Sequence, residues 1–405
     1  MSTTPAEAAI ITGNEAAAIA AKMCRVQVVA AYPITPQSAV VENLSRYVEQ
    51  GDLDAEFVAV ESEHSALSVC IAASTVGARV ITATSANGLG YMCEQIHWAA
   101  GARLPIVMGC VNRAMAAPWS VLNDQQDAMS QRDAGWLQIY CRNNQEILDT
   151  FIQAYRIAEQ IYLPVMVCYD GYILSHTVMP VEIPEQQTVD NFLPAYVPHT
   201  IIDPTEPRNL NPVTLADPRE NGDGVVCHGY MEHRFQHQEA QLKALETIVA
   251  VDEEFAQAFG RSWGGLYWDY ALDDAEIVVL AAGTLASEAT VAVDLLRAEG
   301  FKIGVLGLRS YRPFPVEALA ATLCGRRLVI VFDKSMSYGY QGPICTDLQA
   351  ALFQREGAPA VHGYIAGLGG RDVKARQLVE TVQRSTARFE SGEIIKATEW
   401  VDCRI

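Results

Sequence analysis

Two stretches of the chain alternate short apolar runs with helical patterns, and this alternation limits the fold more than any other feature. In the first stretch, from Ile10 to about Gly171, the apolar runs are continuous in Val, Ile and Ala. Such runs are typical of strands covered on both faces. Because strand–helix alternation requires crossover connections, we predict a parallel sheet. Its strands are predicted at Gln27–Ile34, Glu56–Glu61, Arg79–Ser85, Pro105–Val111, Leu137–Cys141 and Pro164–Tyr169.

A second, smaller alternating unit follows, which predicts two parallel-sheet α/β domains in tandem. Prolines crowd residues 180–218 and predict an extended surface connector, and a long polar helix comes after it. We predict an α/β domain over 1–195, connector and helix over 196–270, a second α/β domain over 271–388, and a tail over 389–405 that would contact a partner. The second domain's strands are predicted at Glu276–Ala281, Lys302–Leu308, Arg327–Phe332 and Val361–Ile365, with helices at Thr284–Glu299 behind a threonine cap, Val316–Leu323, Gly342–Gln354 and Asp372–Arg384.

Charge and composition exclude several classes of partner. The net charge of −19 argues against nucleic acid or an anionic membrane surface. No apolar stretch reaches the roughly 18 residues of a membrane span, and no signal peptide is evident. The ten cysteines form no C-x-x-C pair, so neither a zinc ribbon nor an iron–sulfur ligand set is encoded locally. We interpret them as buried, reduced thiols of a cytoplasmic protein.

The first predicted strand ends at two prolines, in the sequence Tyr32-Pro33-Ile34-Thr35-Pro36. Proline removes a ladder donor and biases the residue before it away from the helical region. The chain should therefore leave the strand sharply, present Thr35 in a rigid turn, and begin a helix at Pro36. Open α/β folds bind ligands at this end of a strand. From local physics alone, a capping threonine in an ordinary strand–helix turn accounts for the same sequence.

Three more polar clusters follow predicted strands. Glu61 and Glu63 lie at a strand–helix junction, where they either complement the helix dipole or supply a buried carboxylate that shares a proton with a ring nitrogen. Arg113 follows a buried run and suits recognition of a carboxylate, although pairing with a neighbouring Asp is equally consistent. The polar run over residues 123–136 is either the wall of a site or a solvated loop.

Two glycine-containing sequences carry less weight. Gly222-Asp223-Gly224 resembles the start of a thiamine diphosphate motif that needs a downstream asparagine, but no asparagine follows Asn221. We interpret it as a turn. The glycine-rich sequence Ala366–Asp372 follows a predicted strand and either cradles a phosphate or forms a plain strand–helix turn. It lacks the G-x-G-x-x-G spacing of a dinucleotide site.

In combination, the motifs resemble the α subunit of 2-oxoacid:ferredoxin oxidoreductases. The pyruvate enzyme is the best-known type, and the α subunit of phenylglyoxylate dehydrogenase is a close relative. The resemblance covers nearly the whole chain, and it is specific because the motifs occur together and in order. It rests on Ile11–Ala16, Tyr32–Pro36, Glu61–Glu63, Asn112–Ala114, Gln131–Trp136, Asp170-Gly171 with Ser175-His176, Phe332–Lys334, Gly342-Pro343 and Gly367–Asp372.

The resemblance implies a thiamine diphosphate-binding fold of the pyrimidine type, followed by a domain like the transketolase C-terminal domain. It implies that a β subunit holds the diphosphate and Mg²⁺, with no metal ligand on this chain. It assigns Glu63 to the glutamate that hydrogen-bonds the cofactor's aminopyrimidine ring, beside Pro33 and Ile34. It assigns Thr35 and Arg113 to contacts with the substrate's carboxylate and carbonyl.

The implied reaction is the oxidative decarboxylation of a 2-oxoacid, with coenzyme A as the acyl acceptor. Electrons would pass to iron–sulfur clusters on partner subunits, a γ subunit and a ferredoxin-like δ subunit, or to an NAD-linked subunit. Pyruvate is the default substrate. Trp119 precedes Asn123 and Asp124 in the loop expected to wall the pocket, and it would close a small pocket or stack on an aromatic substrate such as phenylglyoxylate. A non-catalytic scaffold subunit and a stand-alone nucleotide-binding enzyme are the alternatives.

Overall fold

The first part of the chain folds as the sequence predicts, into strands that alternate with helices. The computed structural model describes residues 7–198, 229–393 and 398–404. The elements up to the long helix are β1 (Glu7–Ile11), α1 (Gly13–Met23), β2 (Val28–Ala31), α2 (Ser38–Glu49), β3 (Glu56–Ala59), α3 (Glu63–Thr75), β4 (Val80–Thr84), α4 (Ala86–Tyr91), α5 (Cys93–Gly101), β5 (Val107–Asn112), α6 (Gln126–Ser130), β6 (Leu137–Tyr140), α7 (Asn144–Ile161), β7 (Val165–Asp170), β8 (Met179–Ile183), α8 (Gln186–Phe192) and α9 (Tyr230–Phe259).

The six predicted strands form one parallel sheet in the order β6-β7-β5-β4-β2-β3. The continuous apolar runs are explained by burial, since every residue of β4, β5, β6 and β7 is buried. The strand order switches at β2, because β3 lies on one side of it and β4 on the other. Such a switch point opens a crevice at the carboxyl ends of the strands, where α/β proteins bind ligands.

The second sheet contains the four predicted parallel strands, flanked by two strands that the sequence did not reveal. Among the described residues its order is β15-β14-β13-β10-β11-β9, with β9 antiparallel to β11. The elements described from residue 267 onward are β9 (Tyr267–Tyr270), β10 (Ile277–Ala282), α10 (Thr284–Ala298), β11 (Ile303–Leu308), β12 (Ser310–Arg312), α11 (Val316–Leu323), β13 (Leu328–Asp333), α12 (Pro343–Leu352), β14 (Ala360–Ile365), a 3₁₀ turn (Leu368–Gly370), α13 (Ala375–Glu390) and β15 (Glu399–Trp400).

The two sheets are connected by strand pairing and by shared apolar packing as well as by the polypeptide. Strand β12 leaves the second unit and pairs antiparallel with β6 at the edge of the first sheet, with Ser310 opposite Ile139. One apolar cluster contains residues of both units, among them Tyr140 beside β12's Tyr311. The long helix α9 packs on α7 and α8 of the first unit.

The predicted surface connector is wrong over its first part. Residues 179–183 form β8, which pairs antiparallel with β1, and α8 follows. Pro180 lies opposite Ile10 in a two-stranded ribbon, where a residue without an N–H is tolerated. Residues 199–218 of the predicted connector and the predicted turn at Gly222–Gly224 lie outside the described part of the chain.

The prediction that the cysteines are buried needs correction, whereas the predicted partner contact of the tail stays a prediction. Helix α13 continues to Glu390, and β15 then joins the second sheet beside β14, so the described part of the tail docks on its own domain. Two of the described cysteines, Cys93 and Cys403, are exposed rather than buried. None of the helices in the described ranges combines the length and apolar character needed to cross a membrane.

Candidate active site

Four neighbouring strands of the first sheet, β3, β2, β4 and β5, end at the same edge, where the predicted site residues follow them. Glu63 comes after β3 and Thr35 after β2, while Arg113 comes directly after β5. Parallel strand order therefore puts all three residues at the same edge of the sheet, around the β2–β4 switch point.

The turn after β2 is held from two sides. The Gln37 side chain donates through Nε2 to the carbonyls of Tyr32, 2.8 Å away, and of Ala83 at the end of β4, 3.1 Å away. From helix α1, the Nδ2 of Asn14 donates to the Pro36 carbonyl over 2.7 Å. The predicted helix start at Pro36 is wrong by two residues, because Pro36 belongs to this turn and α2 begins at Ser38. Thr35 is exposed at the tip of the turn.

Gln37 and Asn14 are positioning residues that the sequence did not single out. Asn14 also accepts a hydrogen bond from the hydroxyl of Tyr169, 2.9 Å away on β7, so it links the turn to the sheet. Of the two predicted cofactor contacts in the turn, Pro33 is exposed and Ile34 is half-buried. The only sequence signal for Asn14 was its place in the motif Ile11–Ala16.

The two glutamates at the start of α3 have different environments. Ser62 caps the helix, and Glu63 is its first residue, with only 8% of its surface exposed. The Glu63 carboxylate lies against Gly88 of α4, where a Cβ atom would be 2.6 Å from Oε1. Glu61 is exposed, and a hydrogen bond from the Ser65 hydroxyl lowers the pKa of its carboxyl. Glu63 is therefore the glutamate that the fold turns inward.

Arg113 is buried and directly connected to the threonine turn. Its Nη1 donates to the carbonyl of Thr35 over 2.8 Å, and its Nε donates to the carbonyl of Ser120 over 3.3 Å. Its contact with an aspartate is made through the backbone, where the Arg113 N–H donates to Asp127 Oδ2 over 3.0 Å. The structure thus brings Thr35 and Arg113 together.

Asp127 fixes the backbone around the site, and it was not among the predicted site residues. Its Oδ2 also accepts from the N–H of Ala86 at the start of α4, 2.9 Å away, and its Oδ1 accepts from Asn112 and from the N–H of Ala128, both 2.8 Å away. Burial raises the pKa of the Asp127 carboxyl to about 7, against the opposing effect of these hydrogen bonds. The sequence showed Asp127 only as one polar residue of the run 123–136, and its burial became clear from the structure.

The three predicted pocket residues lie in different environments. Trp119 is 78% exposed, whereas Asn123 and Asp124 are buried. Asp124 accepts from the N–H of Gln126 over 3.0 Å and from the N–H of Gly369 in the second domain over 3.1 Å, and burial raises its pKa. In this chain, Asp124 therefore connects the loop to the second domain.

A buried ion pair joins the ends of β7 and β13. Lys334 donates to Asp170 Oδ2 over 3.2 Å, and the same oxygen accepts from both the N–H and the hydroxyl of Thr284. The prediction that Thr284 caps α10 is therefore wrong. Gly283 occupies the cap position, and the Thr284 hydroxyl donates to Asp170 of the ion pair instead. The motifs Asp170-Gly171 and Phe332–Lys334 meet here, at the contact between domains.

Fold and geometry together define an α/β protein in which a buried glutamate, an exposed threonine and a buried arginine follow neighbouring strands at a sheet switch point, where proteins of this class bind ligands. Residues 19–256 match the thiamine diphosphate-binding family of pyruvate flavodoxin/ferredoxin oxidoreductases. Residues 275–378 match core domain II of pyruvate:ferredoxin oxidoreductase. The chain belongs to this family, as the α subunit of a thiamine diphosphate-dependent 2-oxoacid:ferredoxin oxidoreductase.

Relatives of this family align with nearly the whole length of the chain. The pyruvate synthase subunit PorA of Methanocaldococcus jannaschii is 46% identical, with 98% of each chain covered. The ketoisovalerate oxidoreductase subunit VorA of Pyrococcus horikoshii is 43% identical, over 96% of this chain and 97% of that one. These matches confirm the predicted family.

Two solved structures share the fold. The 2-oxoglutarate:ferredoxin oxidoreductase from Magnetococcus marinus superposes with a TM-score of 0.70 at 19% identity, and the match covers 94% of this chain but 65% of that one. A split-gene transketolase superposes with a TM-score of 0.55 at 13% identity, over 94% and 99% of the two chains. These superpositions confirm the predicted α/β fold class and its likeness to the transketolase fold.

Proposed function

We propose that Glu63 is the residue that binds the aminopyrimidine ring of thiamine diphosphate. The observation that carries this proposal is its buried carboxylate, which lies at the start of α3 against a glycine that leaves no side chain in the way. A carboxylate in such surroundings can hydrogen-bond a ring nitrogen and hold a proton there. When bound, the cofactor supplies the carbon nucleophile and the electron sink needed for decarboxylation. Pro33 and Ile34 would line the ring from the neighbouring turn.

For the 2-oxoacid substrate, we assign Thr35 and Arg113. The Thr35 side chain is exposed at the strand edge, and the buried guanidinium of Arg113 lies directly behind its peptide. A guanidinium and a hydroxyl recognise a carboxylate and its adjacent carbonyl by charge-assisted and neutral hydrogen bonds. The burial of Arg113 strengthens this interaction, because less solvent screens it.

Pyruvate is the proposed substrate, and other candidate 2-oxoacids differ from it in the side chain attached to the carbonyl carbon. Relatives at similar identity are named for pyruvate and for ketoisovalerate. Trp119 is exposed beside Asn123 and Asp124, so an aromatic 2-oxoacid such as phenylglyoxylate remains the second candidate, because an indole offers it a stacking surface. Assay of the native complex against a panel of these acids, with coenzyme A present, ranks them directly.

We further propose that the site is completed by other subunits. A β subunit would hold the cofactor's diphosphate and Mg²⁺, and γ and ferredoxin-like δ subunits would carry the iron–sulfur clusters, with coenzyme A as the acyl acceptor. The relatives are named as subunits, which supports an assembly of this kind. The isolated chain should then be inert, and full activity of the purified single chain would contradict this proposal.

The decisive experiment compares Glu63→Gln with Glu61→Gln in the assembled complex. Both variants remove one carboxylate from the same helix start, but only Glu63 is buried. We expect Glu63→Gln to lower turnover by about 10²–10⁴-fold, the usual contribution of a positioned acid–base group. Glu61→Gln should retain activity. Near-normal turnover of Glu63→Gln would refute both the assignment and the catalytic role, and would favour a scaffold subunit.

A further inference from the structure

The loop that would face the substrate runs from Arg113 to Asp124, and we call it the pocket loop. It is closed on itself near its base, where the N–H of Ala114 donates to the carbonyl of Leu122 over 3.0 Å. The Arg113 guanidinium adds its bond to the carbonyl of Ser120. The course of this loop therefore also determines where the Arg113 side chain lies.

The second domain holds the returning arm of the pocket loop. The N–H of Gly370 donates to the carbonyl of Asn123 over 2.6 Å, and the N–H of Gly369 donates to the carboxylate of Asp124 over 3.1 Å. In the other direction, the Ser120 hydroxyl donates to the carbonyl of Gly369 over 3.2 Å. Three hydrogen bonds thus attach the loop to one turn that follows β14.

In this turn, residues 367–370, the backbone favours glycine at Gly369 and Gly370, and close contact with the pocket loop requires it at Gly370. Gly369 and Gly370 have φ angles of +59° and +78°, in the left-handed region that favours glycine. A Cβ atom on Gly370 would lie 2.2 Å from the Cβ of Leu122 in the pocket loop. The glycine-rich sequence is thus explained by close approach of two backbones, and the structure gives it a role other than holding a phosphate.

A second attachment follows the pocket loop. The N–H of Gln125 donates to the carbonyl of Lys334 over 2.8 Å, and the side chain of Gln126 accepts from the N–H of Met336 over 2.9 Å. Lys334 is itself held in the buried ion pair with Asp170. The ends of β13 and β14 therefore hold the loop at two places, on a rigid support.

We propose that the glycine turn of the second domain is a positioning element for the substrate site, which sets the shape of the pocket loop and thereby the discrimination among 2-oxoacids. The inference builds on the proposed function, because it takes the pocket loop to be substrate-facing. It gives the second domain a part in specificity, although none of its residues need touch the substrate.

The test is Gly370→Ala in the assembled complex, with Gly392→Ala as the matched control. Gly392 has a φ angle of +74°, close to that of Gly370, but nothing lies within 4 Å of a Cβ placed on it. Backbone strain is therefore similar in the two variants, and only Gly370→Ala pushes on the pocket loop. We expect the KM for the 2-oxoacid to rise roughly tenfold and the ranking of 2-oxoacids to change, with kcat altered much less.

A purely structural turn would lower stability without changing KM or the ranking. Gly370→Ala with the kinetic constants of Gly392→Ala would therefore overturn the proposal. Should Gly370→Ala fail to assemble, Ser120→Ala removes one of the three bonds at a half-exposed position, and the same measurements decide. A null result for Gly370→Ala beside an inactive Glu63→Gln would reject the positioning role alone, whereas an active Glu63→Gln would reject the site itself.

Discussion

At the scale of single residues, the chain uses buried aspartates to fix backbone N–H groups. Asp127 does so at the site, and Asp333 does so at the start of α12, where its two oxygens accept from the N–H groups of Ile344 and Cys345 over 2.8 and 3.0 Å. Both carboxyls are fully buried, and burial raises the pKa of each to about 7. They are matched in chemistry and differ in location, so one is a control for the other.

Asp127→Asn should impair catalysis, whereas Asp333→Asn should not. An asparagine offers one acceptor oxygen in place of two, so either the N–H groups of Ala86 and Arg113 or the donors on Asn112 and Ala128 lose their acceptor, and the backbone around the site shifts. We expect kcat/KM of Asp127→Asn to fall about tenfold or more, since small displacements in a site have large effects on rate. Steady-state kinetics of both complexes measure this. Equal kinetics for the two variants would show that Asp127 serves stability alone.

Asp333 also predicts a pH dependence of stability. Its pKa is about 7 in the folded chain, above the ordinary 3.8, so between these values the folded state binds more protons than the unfolded state. The contribution of Asp333 to stability is therefore fully present below about pH 4 and declines as pH rises toward 7. Asp333→Asn removes this decline. Its deficit in thermal stability relative to wild type should shrink from pH 5 to pH 7, and a deficit that grows would contradict the pKa.

The site was predictable at this scale only in part. Local patterns identified Glu61 and Glu63 as a pair and the family resemblance chose Glu63, and the fold shows that Glu63 is the one whose side chain is buried. Asn14, Gln37 and Asp127 act through backbone groups that are distant in sequence, and no local pattern reports such partners. Polar residues that position the backbone of a site are missed, because their residue type alone does not distinguish them from polar residues of a solvated loop.

At the scale of elements, the central strands were predictable because burial on both faces produces continuous apolar runs. The strands that were missed lie at edges or in small ribbons. Strand β9 is half-exposed or exposed along its whole length, and β15 has two residues, so neither has a periodic signal. Strand β8 contains Pro180, which indicated a connector. The pairing of β12 with the first sheet joins residues about 170 positions apart and cannot be read locally.

The close packing of α3 against α4 predicts that an added side chain at Gly88 displaces Glu63. Gly88→Ala would place a methyl group 2.6 Å from both the Glu63 carboxylate and the Thr84 hydroxyl, so Glu63 must move. We expect turnover to fall about 100-fold with the fold retained. Gly101→Ala in the neighbouring helix α5 is the control, because no atom lies within 4 Å of its Cβ position. Unchanged turnover in Gly88→Ala would mean that the position of Glu63 is not critical.

At the scale of the whole molecule, a fully buried arginine ties the two domains together. Arg309 lies between β11 and β12, and its guanidinium donates to Glu146 over 3.0 Å, to Gln153 over 2.7 Å and to Thr150 over 3.1 Å, all on helix α7. Neither charged side chain of the Arg309–Glu146 pair has exposed surface. Local sequence patterns do not reveal this pair, because its members lie 163 positions apart in the chain.

Arg309→Met should therefore destabilise the chain strongly, because it removes the fully buried partner of the Glu146 carboxylate and leaves only Arg142, whose Nε is 3.7 Å away. Removing one member of a buried pair typically costs about 3–5 kcal/mol. Burial already raises the pKa of Glu146 and Arg309 opposes that shift, so loss of Arg309 raises the pKa further. Protonation then offsets the loss, and the destabilisation measured by urea unfolding should be smaller at pH 5 than at pH 8. Arg355→Met, which breaks an exposed pair with Glu317, should change little at either pH. If the two variants unfolded alike, the buried pair would not be what holds the domains together.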